Sequence, residues 1–183
     1  MKIGLPSGRL KSDSYFRESF VFEHERSLVS KCGHAFIFKA RVIPQLLQLG
    51  IIDVGVCGHD LVEEAEVNLH RIRDLPGKDV RIVAATKLNE WPKRPLLIAT
   101  EYPRIAEKWA YSKNLSHTIL MTYGSTEAFA GGIADIIVDC VDTGQTLKAN
   151  GIQIVDTIMH SSPGVYCRKE CSDKWSNLIN SLL

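Results

Sequence analysis

Residues 133–151 read IADIIVDCVDTGQTLKANG, and this segment decides the fold that the sequence predicts. It begins with an apolar run (Ile136, Ile137 and Val138) that is typical of a buried strand. A polar turn around Gly144 follows, and residues 147–150 have the character of a short helix. Strand, turn and helix in immediate succession form the unit from which α/β proteins are built, with the turn at the carboxyl end of the strand.

The same alternation of short apolar runs and amphipathic stretches continues along the whole chain. The predicted strands are 2–5, 35–39, 52–57, 80–85, 96–99, 118–121, 135–141, 154–159 and 164–167. The predicted helices are 42–49, 102–113 and 173–183. The first of these helices places Ile43, Leu46 and Leu47 on one face and ends at Gly50. The sequence therefore predicts an α/β protein with a largely parallel sheet.

A stretch at 87–95 is predicted to connect two lobes. It holds two prolines among charged residues, a composition typical of a connection between larger elements. We therefore expect lobe I to comprise residues 1–87 and 155–183, which include the last helix. Lobe II is expected to comprise residues 88–154.

The composition excludes several functional classes. The chain has 183 residues, with 22 Lys and Arg against 21 Asp and Glu, and 45% of its residues are hydrophobic. A disordered chain has a lower apolar fraction, and a nucleic-acid-binding domain usually carries an excess of basic residues. We therefore expect a folded protein that binds no nucleic acid, in which any bound anion is held by a local site.

The sequence contains neither a candidate membrane span nor a secretory signal. The longest stretch without a charged residue covers 114–126, which is 13 residues, whereas a transmembrane helix needs about 20 apolar residues. The five cysteines are an odd number without C-x-x-C spacing, a pattern typical of buried thiols in a reducing compartment. We therefore expect a cytoplasmic protein.

The turn in the opening segment has the composition of a phosphate-binding site. Gly144 relieves crowding of the backbone, so that successive N–H groups can point into one concavity, and Thr143 and Thr146 add hydroxyl donors. Asp139 and Asp142 can accept hydrogen bonds from ribose hydroxyls or hold a hydrated Mg²⁺. The same residues also suit an ordinary strand–turn–helix connection in which Asp and Thr act as caps.

Three other loops follow predicted strands and carry residues that can bind a charged ligand. In the motif GLPSGRL, Gly8 allows close approach to the backbone and Arg9 offers a planar guanidinium, although many loops of this kind contain such residues. Beyond the next apolar strand, Gly58 precedes His59, which can bind phosphate or simply be solvated. In the motif GSTEAFAGG, Glu127 can bind Mg²⁺ or ribose, or stabilise a helix N-terminus. Because all these loops follow strands, they can converge.

No motif for covalent catalysis occurs in the sequence. The chain contains no Walker, dinucleotide-binding, zinc-protease or nucleophile-elbow pattern. An enzyme with this sequence would therefore act on phosphorylated substrates by positioning and electrostatics.

Five stretches, taken in order, resemble the family of short-form ATP phosphoribosyltransferase catalytic subunits of histidine biosynthesis. They are IGLPSGRL (3–10), FEHERSLV (22–29), FKARVIPQLLQLGIIDVGVCGHDLVEE (38–64), IATEYPRIAEKW (98–109) and GSTEAFAGGIADIIVDCVDTGQTLKANG (124–151). The last stretch contains the family's signature for binding phosphoribosyl pyrophosphate. The resemblance implies a two-lobed α/β fold of the periplasmic-binding-protein type (type II), with a hinge and a site in the cleft between the lobes.

The resemblance also implies a reaction in which the 5-phosphoribosyl group of phosphoribosyl pyrophosphate is transferred to N1 of ATP, with Mg²⁺ as cofactor. The residues implied to bind phosphoribosyl pyrophosphate are Asp139, Asp142, Thr143, Gly144, Gln145 and Thr146. Those implied to line the ATP and pyrophosphate side are Ser7, Gly8, Arg9, Lys39, Gly58, Tyr102 and Glu127. The implied magnesium ligands are Asp139 and Asp142. No single general base is evident, which agrees with positioning as the main catalytic device.

Four positions depart from the family's pattern. Members often carry Lys, Arg and Asp where this chain has Ser7, Lys39 and Val42, and Arg or Thr where it has Gln145. Losing a cation at position 7 and a bidentate guanidinium at position 39 weakens anion binding. Ser7, Lys39 and Val42 favour the alternative of a non-catalytic cytoplasmic nucleotide- or phosphate-binding or regulatory module with the same fold. An oligomeric scaffold with a vestigial cleft is a third possibility. The intact 139–146 segment favours the enzyme.

The resemblance implies partners as well. Short forms lack the C-terminal regulatory domain of the long form, and we expect the same of this chain. A homodimer is implied, and a hetero-octamer with a separate regulatory subunit that resembles a histidyl-tRNA synthetase.

Overall fold

The computed structural model describes residues 1–7, 21–24, 27–30, 33–77 and 79–175. The chain forms two α/β units, each of which contains one sheet. The first unit comprises Met1–Lys78 with Ser162–Leu183, and the second unit comprises Asp79–Ser161.

The secondary structure alternates between strands and short helices. The strands are β1 (Lys2–Ser7), β2 (Val21–His24), β3 (Ser27–Ser30), β4 (Gly33–Lys39), β5 (Val54–Gly58), β6 (Leu69–Asp74), β7 (Val80–Thr86), β8 (Leu96–Thr100), β9 (His117–Met121), β10 (Ile136–Val141), β11 (Gln153–Ser161) and β12 (Pro163–Arg168). The α-helices whose bounds lie within the described residues are α1 (Ile43–Gln48), α2 (His59–Ala65), α3 (Pro103–Ser112) and α4 (Gln145–Ala149). Within the described ranges, no helix combines the length and the apolar character that a bilayer span requires.

The first unit is built on a seven-stranded mixed sheet with the order β2-β3-β4-β1-β5-β12-β6. β1 lies parallel to β4 and to β5, while β12 lies antiparallel to β5 and β6. α1 buries Ile43 and Leu47 against this sheet. A Cβ at Gly55 would lie 2.5 Å from Ile43 Cγ2, so only glycine permits this approach of α1 to β5. Because β1, β4 and β5 run parallel to one another, their carboxyl ends lie at one edge of the sheet.

The second unit is built on a five-stranded sheet with the order β11-β7-β10-β8-β9. β8 lies parallel to both β9 and β10, so these three strands end at the same edge of the sheet. β7 lies antiparallel to β10 and therefore begins at that edge. The side of the sheet that faces α4 is apolar and buries Val83, Ala85 and Ile137.

An ion pair between the exposed Arg94 and the buried Asp135 joins the loop before β8 to the residue that precedes β10. Arg94 donates from Nη1 and Nη2 to the two carboxylate oxygens of Asp135, over 2.8 and 2.9 Å, and the Leu97 N–H donates to Oδ2 over 2.8 Å. The hydrogen bonds from Arg94 hold the pKa of the Asp135 carboxyl below its ordinary value of 3.8, against the opposing effect of burial. These hydrogen bonds hold the charged loop against the sheet of the second unit.

This loop does not connect the two units as predicted. The predicted boundaries follow residues 87 and 154, whereas the chain passes between the units at 78/79 and 161/162. The reason is that β7 and β11 pair with each other along their length, from Val80 with Ser161 to Thr86 with Gln153. Both strands therefore belong to the second sheet.

The predicted α/β class is confirmed, but the expectation of a largely parallel sheet is wrong. Each predicted strand overlaps an observed one, and the structure adds β2, β3 and β6, which the sequence analysis did not identify. Among the ten strand pairings of the described residues, four are parallel and six are antiparallel. The predicted helix 173–183 lies mostly outside the described residues. Residues 172–175 are described, and they are helical.

Candidate functional site

The 139–146 segment begins inside β10 and ends in the first turn of α4. Ile136, Ile137 and Val138 are fully buried, whereas Asp139 is half-buried. The Oδ1 atom of Asp139 accepts a hydrogen bond from the Cys140 N–H over 2.7 Å. The polar residues of this strand thus begin where it approaches the edge of the sheet.

Gly144 adopts a backbone conformation that favours glycine. Its φ is 76° and its ψ is 5°, in the left-handed region, and it occupies the N-cap position of α4. A Cβ at this position would lie 3.6 Å from Ile154 Cδ1 and 3.9 Å from Arg81 Nη2, which are ordinary contact distances. The requirement for glycine therefore comes from the backbone torsion rather than from lack of space within the protein.

The polar side chains around Gly144 are accessible because one apolar side chain holds α4 to the sheet. Leu147 is 2% exposed and packs in the core of the second unit, while Thr143, Gln145 and Thr146 are exposed. Thr143 Oγ1 accepts a long hydrogen bond of 3.4 Å from the Gln145 N–H. The turn therefore offers hydroxyls and backbone N–H groups to an anion on its outer side.

The carboxylates of this segment suit a magnesium ion that arrives with a phosphorylated substrate. Asp139 and Asp142 are both half-buried. Among the described residues, no group of three or more His, Cys, Asp or Glu side chains could hold a metal ion. Mg²⁺ is commonly bound through one or two carboxylates together with substrate phosphates and water, and two aspartates meet that requirement.

Two further predicted residues lie at the same edge of the second sheet. Tyr102 follows β8 and Glu127 follows β9, both of which run parallel to β10 in the sheet order given above. Thr100 Oγ1 donates to the Val138 carbonyl over 2.7 Å and accepts from the Tyr102 N–H over 2.8 Å, which ties the ends of β8 and β10 together. Tyr102 is only 7% exposed, so most of its ring packs inside the protein, while Glu127 is half-buried.

Three of the other predicted residues lie at the corresponding edge of the first sheet. Ser7 and Lys39 are direct partners at the ends of the parallel strands β1 and β4. Gly58 ends β5, which is the other neighbour of β1. Gly8 and Arg9 lie outside the described residues. The predicted site residues are thus divided between two strand edges, one in each unit.

Arg81 is a candidate that the sequence analysis missed. It is the second residue of β7 and is paired with Val141, at the end of β10 where the site lies. A signal was present in the sequence, because Arg81 is the one charged residue of the strand VRIVAAT and alternates in step with the apolar Val83 and Ala85.

Comparison with known proteins identifies relatives that match most of the chain. The family model described as HisG, ATP phosphoribosyltransferase, matches residues 39–183. A protein from Campylobacter curvus (strain 525.92), named ATP phosphoribosyltransferase, is 34% identical over 178 residues. That match covers 91% of this chain and 86% of the relative.

Solved structures show the fold to which this chain is similar. The ATP phosphoribosyl transferase (HisG:HisZ) complex from Thermotoga maritima is similar with a TM-score of 0.91 and 28% identity, covering 100% of this chain and 96% of that chain. The arginine-bound form of truncated ArgBP from T. maritima has a TM-score of 0.53 and 15% identity, covers 100% and 93% of the two chains, and is similar in fold alone. The expected fold of the periplasmic-binding-protein type is confirmed.

Proposed function

The chain belongs to the ATP phosphoribosyltransferase family, and on this premise we propose that it transfers the 5-phosphoribosyl group of phosphoribosyl pyrophosphate to N1 of ATP. Pyrophosphate is the other product, and the reaction is the first step of histidine biosynthesis. The observation that carries the proposal is the exposed polar turn after β10, which lies inside the stretch matched by the family model.

The 139–146 segment is proposed to bind phosphoribosyl pyrophosphate. The left-handed Gly144 opens the turn, and the exposed hydroxyls of Thr143 and Thr146 can donate to the 5-phosphate together with backbone N–H groups. The carboxylates of Asp139 and Asp142 can accept hydrogen bonds from the ribose hydroxyls. Gln145 is exposed beside these residues and can donate through its side-chain amide.

The first unit is proposed to contribute to binding ATP and pyrophosphate. Lys39 supplies a cation next to the hydroxyl of Ser7, and the end of β5 at Gly58 brings backbone close to the same edge. Tyr102 and Glu127 lie at the edge of the second sheet where β10 ends, Tyr102 after the adjacent strand β8 and Glu127 after β9. Of the two, the half-buried Glu127 has more surface to offer a ligand than the buried Tyr102.

The proposed mechanism relies on positioning and charge. Loss of pyrophosphate from C1 of the ribose develops positive charge at that carbon, which nearby carboxylates stabilise. Asp139 and Asp142 are the carboxylates at the ribose end of the site, and they would also be the ligands of Mg²⁺. Bound Mg²⁺ supplies charge stabilisation for the departing pyrophosphate.

A separate regulatory subunit is proposed as a partner. The similar structure from T. maritima is a complex named for HisG together with HisZ, and this chain covers almost all of the chain it matches.

A reducing compartment such as the cytoplasm is proposed for this protein. The cysteines Cys57 and Cys167 are free and buried, which suits such a compartment.

Turnover is the test that separates the enzyme from a binding module of the same fold. The chain is incubated with ATP, phosphoribosyl pyrophosphate and Mg²⁺, with and without the regulatory subunit, and phosphoribosyl-ATP and pyrophosphate are measured by chromatography. Thr146→Ala removes one hydrogen bond to a charged acceptor, so its affinity for phosphoribosyl pyrophosphate should fall about 10- to 150-fold. Tight binding of both substrates without product, in the presence of the regulatory subunit, would support the binding module instead.

A further inference from the structure

We infer that Arg81 binds the 5-phosphate of the ribose substrate and supplies the positive charge that the 139–146 segment lacks. The inference rests on the proposed function, because it concerns the same site. Residues 139–146 read DCVDTGQT and contain two carboxylates and no Lys or Arg. The carboxylates of this segment repel a phosphate dianion, so a cation beside the turn strengthens phosphate binding.

The position of Arg81 follows from the alternation of side chains along β7. Val83 and Ala85 are fully buried in the core on the side of the sheet that faces α4. Side chains two residues apart point to the same face of a strand, so Arg81 also lies on the side of α4. Its partner in the antiparallel register is Val141, the last residue of β10 before the turn.

The guanidinium of Arg81 reaches the turn itself. A Cβ at Gly144 would lie 3.9 Å from Arg81 Nη2, so this nitrogen lies beside the backbone of the residue that opens α4. Arg81 is half-buried, and among the described residues no hydrogen bond or ion pair joins its side chain to another group. A guanidinium that lies beside a turn of exposed hydroxyls is suited to bind a phosphate through two N–H groups.

The test uses Arg81→Met, which keeps the apolar stem of the side chain and removes the guanidinium. Binding of ribose 5-phosphate, phosphoribosyl pyrophosphate and ATP to the full chain is measured by calorimetric titration. Affinity for both ribose phosphates should fall about 10- to 150-fold, while affinity for ATP stays unchanged. Arg73→Met is the matched control, because Arg73 is exposed on β6 in the first unit, and it should leave all three affinities unchanged.

Equal affinity of Arg81→Met and the unaltered chain for ribose 5-phosphate would overturn the inference and leave the proposed function standing. A similar loss of affinity for ATP and ribose 5-phosphate would also overturn it, because it would indicate a structural role for Arg81. If Arg81→Met does not fold, Arg81→Lys is measured instead. It loses one charge-assisted hydrogen bond, so its affinity for ribose 5-phosphate should fall roughly 10-fold. An unchanged affinity of Arg81→Lys refutes the inference. No binding of ribose phosphates to the unaltered chain would refute both proposals.

Discussion

Single residues decide how the turn after β10 is shaped. Gly144 has a positive φ of 76°, a conformation that costs an L-residue roughly 1–2 kcal/mol and costs a β-branched residue more. Because the free volume around it would accept a Cβ, a substitution there is expected to change the path of the turn rather than to disrupt the core. Ligand binding should therefore respond more strongly than folding.

Gly144→Val should abolish binding of phosphoribosyl pyrophosphate while ATP binding remains measurable. The valine forces the turn out of the left-handed conformation, which moves the hydroxyls of Thr143 and Thr146 away from the phosphate. Calorimetric titration with each substrate measures the effect. Gly132→Val is the control, because no atom lies within 4 Å of a Cβ placed there, and it should bind both substrates normally. Binding of phosphoribosyl pyrophosphate to Gly144→Val with unchanged affinity would contradict the assignment of this turn.

Asp135 should make the stability of the protein depend on pH in the acidic range. Its pKa is lowered in the folded protein by hydrogen bonds from Arg94, so it stabilises the fold fully above its ordinary value of 3.8. This stabilisation declines as the pH falls below that value and is lost below the lowered pKa. The free energy of unfolding, measured from about pH 6 to about pH 3, should fall less steeply in Asp135→Asn than in the unaltered chain. Equal slopes would show that this carboxyl is not responsible.

At the scale of single elements, the short helix α4 depends on tertiary packing. It has five residues, too few for a stable helix in isolation, and Leu147 is its only buried residue. The helix therefore exists because Leu147 packs in the core of the second unit with Val83 and Ile152. The position of the proposed phosphate site depends on the same contact.

Leu147→Ala should lower the free energy of unfolding by about 2–5 kcal/mol and also weaken binding of phosphoribosyl pyrophosphate. The loss of the buried side chain leaves a cavity and releases the start of α4 from the sheet. Chemical denaturation gives the stability, and titration gives the affinity. Lys148→Ala, at the exposed neighbour in the same helix, should change the stability by no more than about 0.5 kcal/mol. If both variants unfold with the same midpoint, α4 is not held by Leu147.

The strands could be predicted from the sequence better than their arrangement. β5, β8 and β10 are short apolar runs that end in polar or glycine-containing turns, a signal that is local to each segment. β6 reads LHRIRD, and its half-buried polar residues hide the alternation that marks a strand. The direction of each strand relative to its neighbour depends on contacts distant in sequence, such as the insertion of β12 between β5 and β6.

At the scale of the whole molecule, we expect the chain to require its partner for full activity. By itself it should form a dimer or a larger assembly with little or no turnover, and activity should rise when the regulatory subunit is added. Light scattering measures the assembly, and the chromatographic product assay measures the rate. Full activity of a monomer without a second chain would contradict this expectation.

The sequence by itself determined the α/β class, the positions of the main strands and the polar turn of residues 139–146. Each of these depends on the pattern of side chains in a short run of neighbouring residues. Only the tertiary structure decided where the chain passes between the two units, since β7 and β11 join the second sheet by pairing with strands far along the chain. The same holds for Arg81, which is 63 residues from Gly144 in the numbering and lies beside it only because β7 runs antiparallel to β10. Local signals depend on side-chain pattern, whereas pairing and proximity depend on which distant segments bury each other's apolar surface.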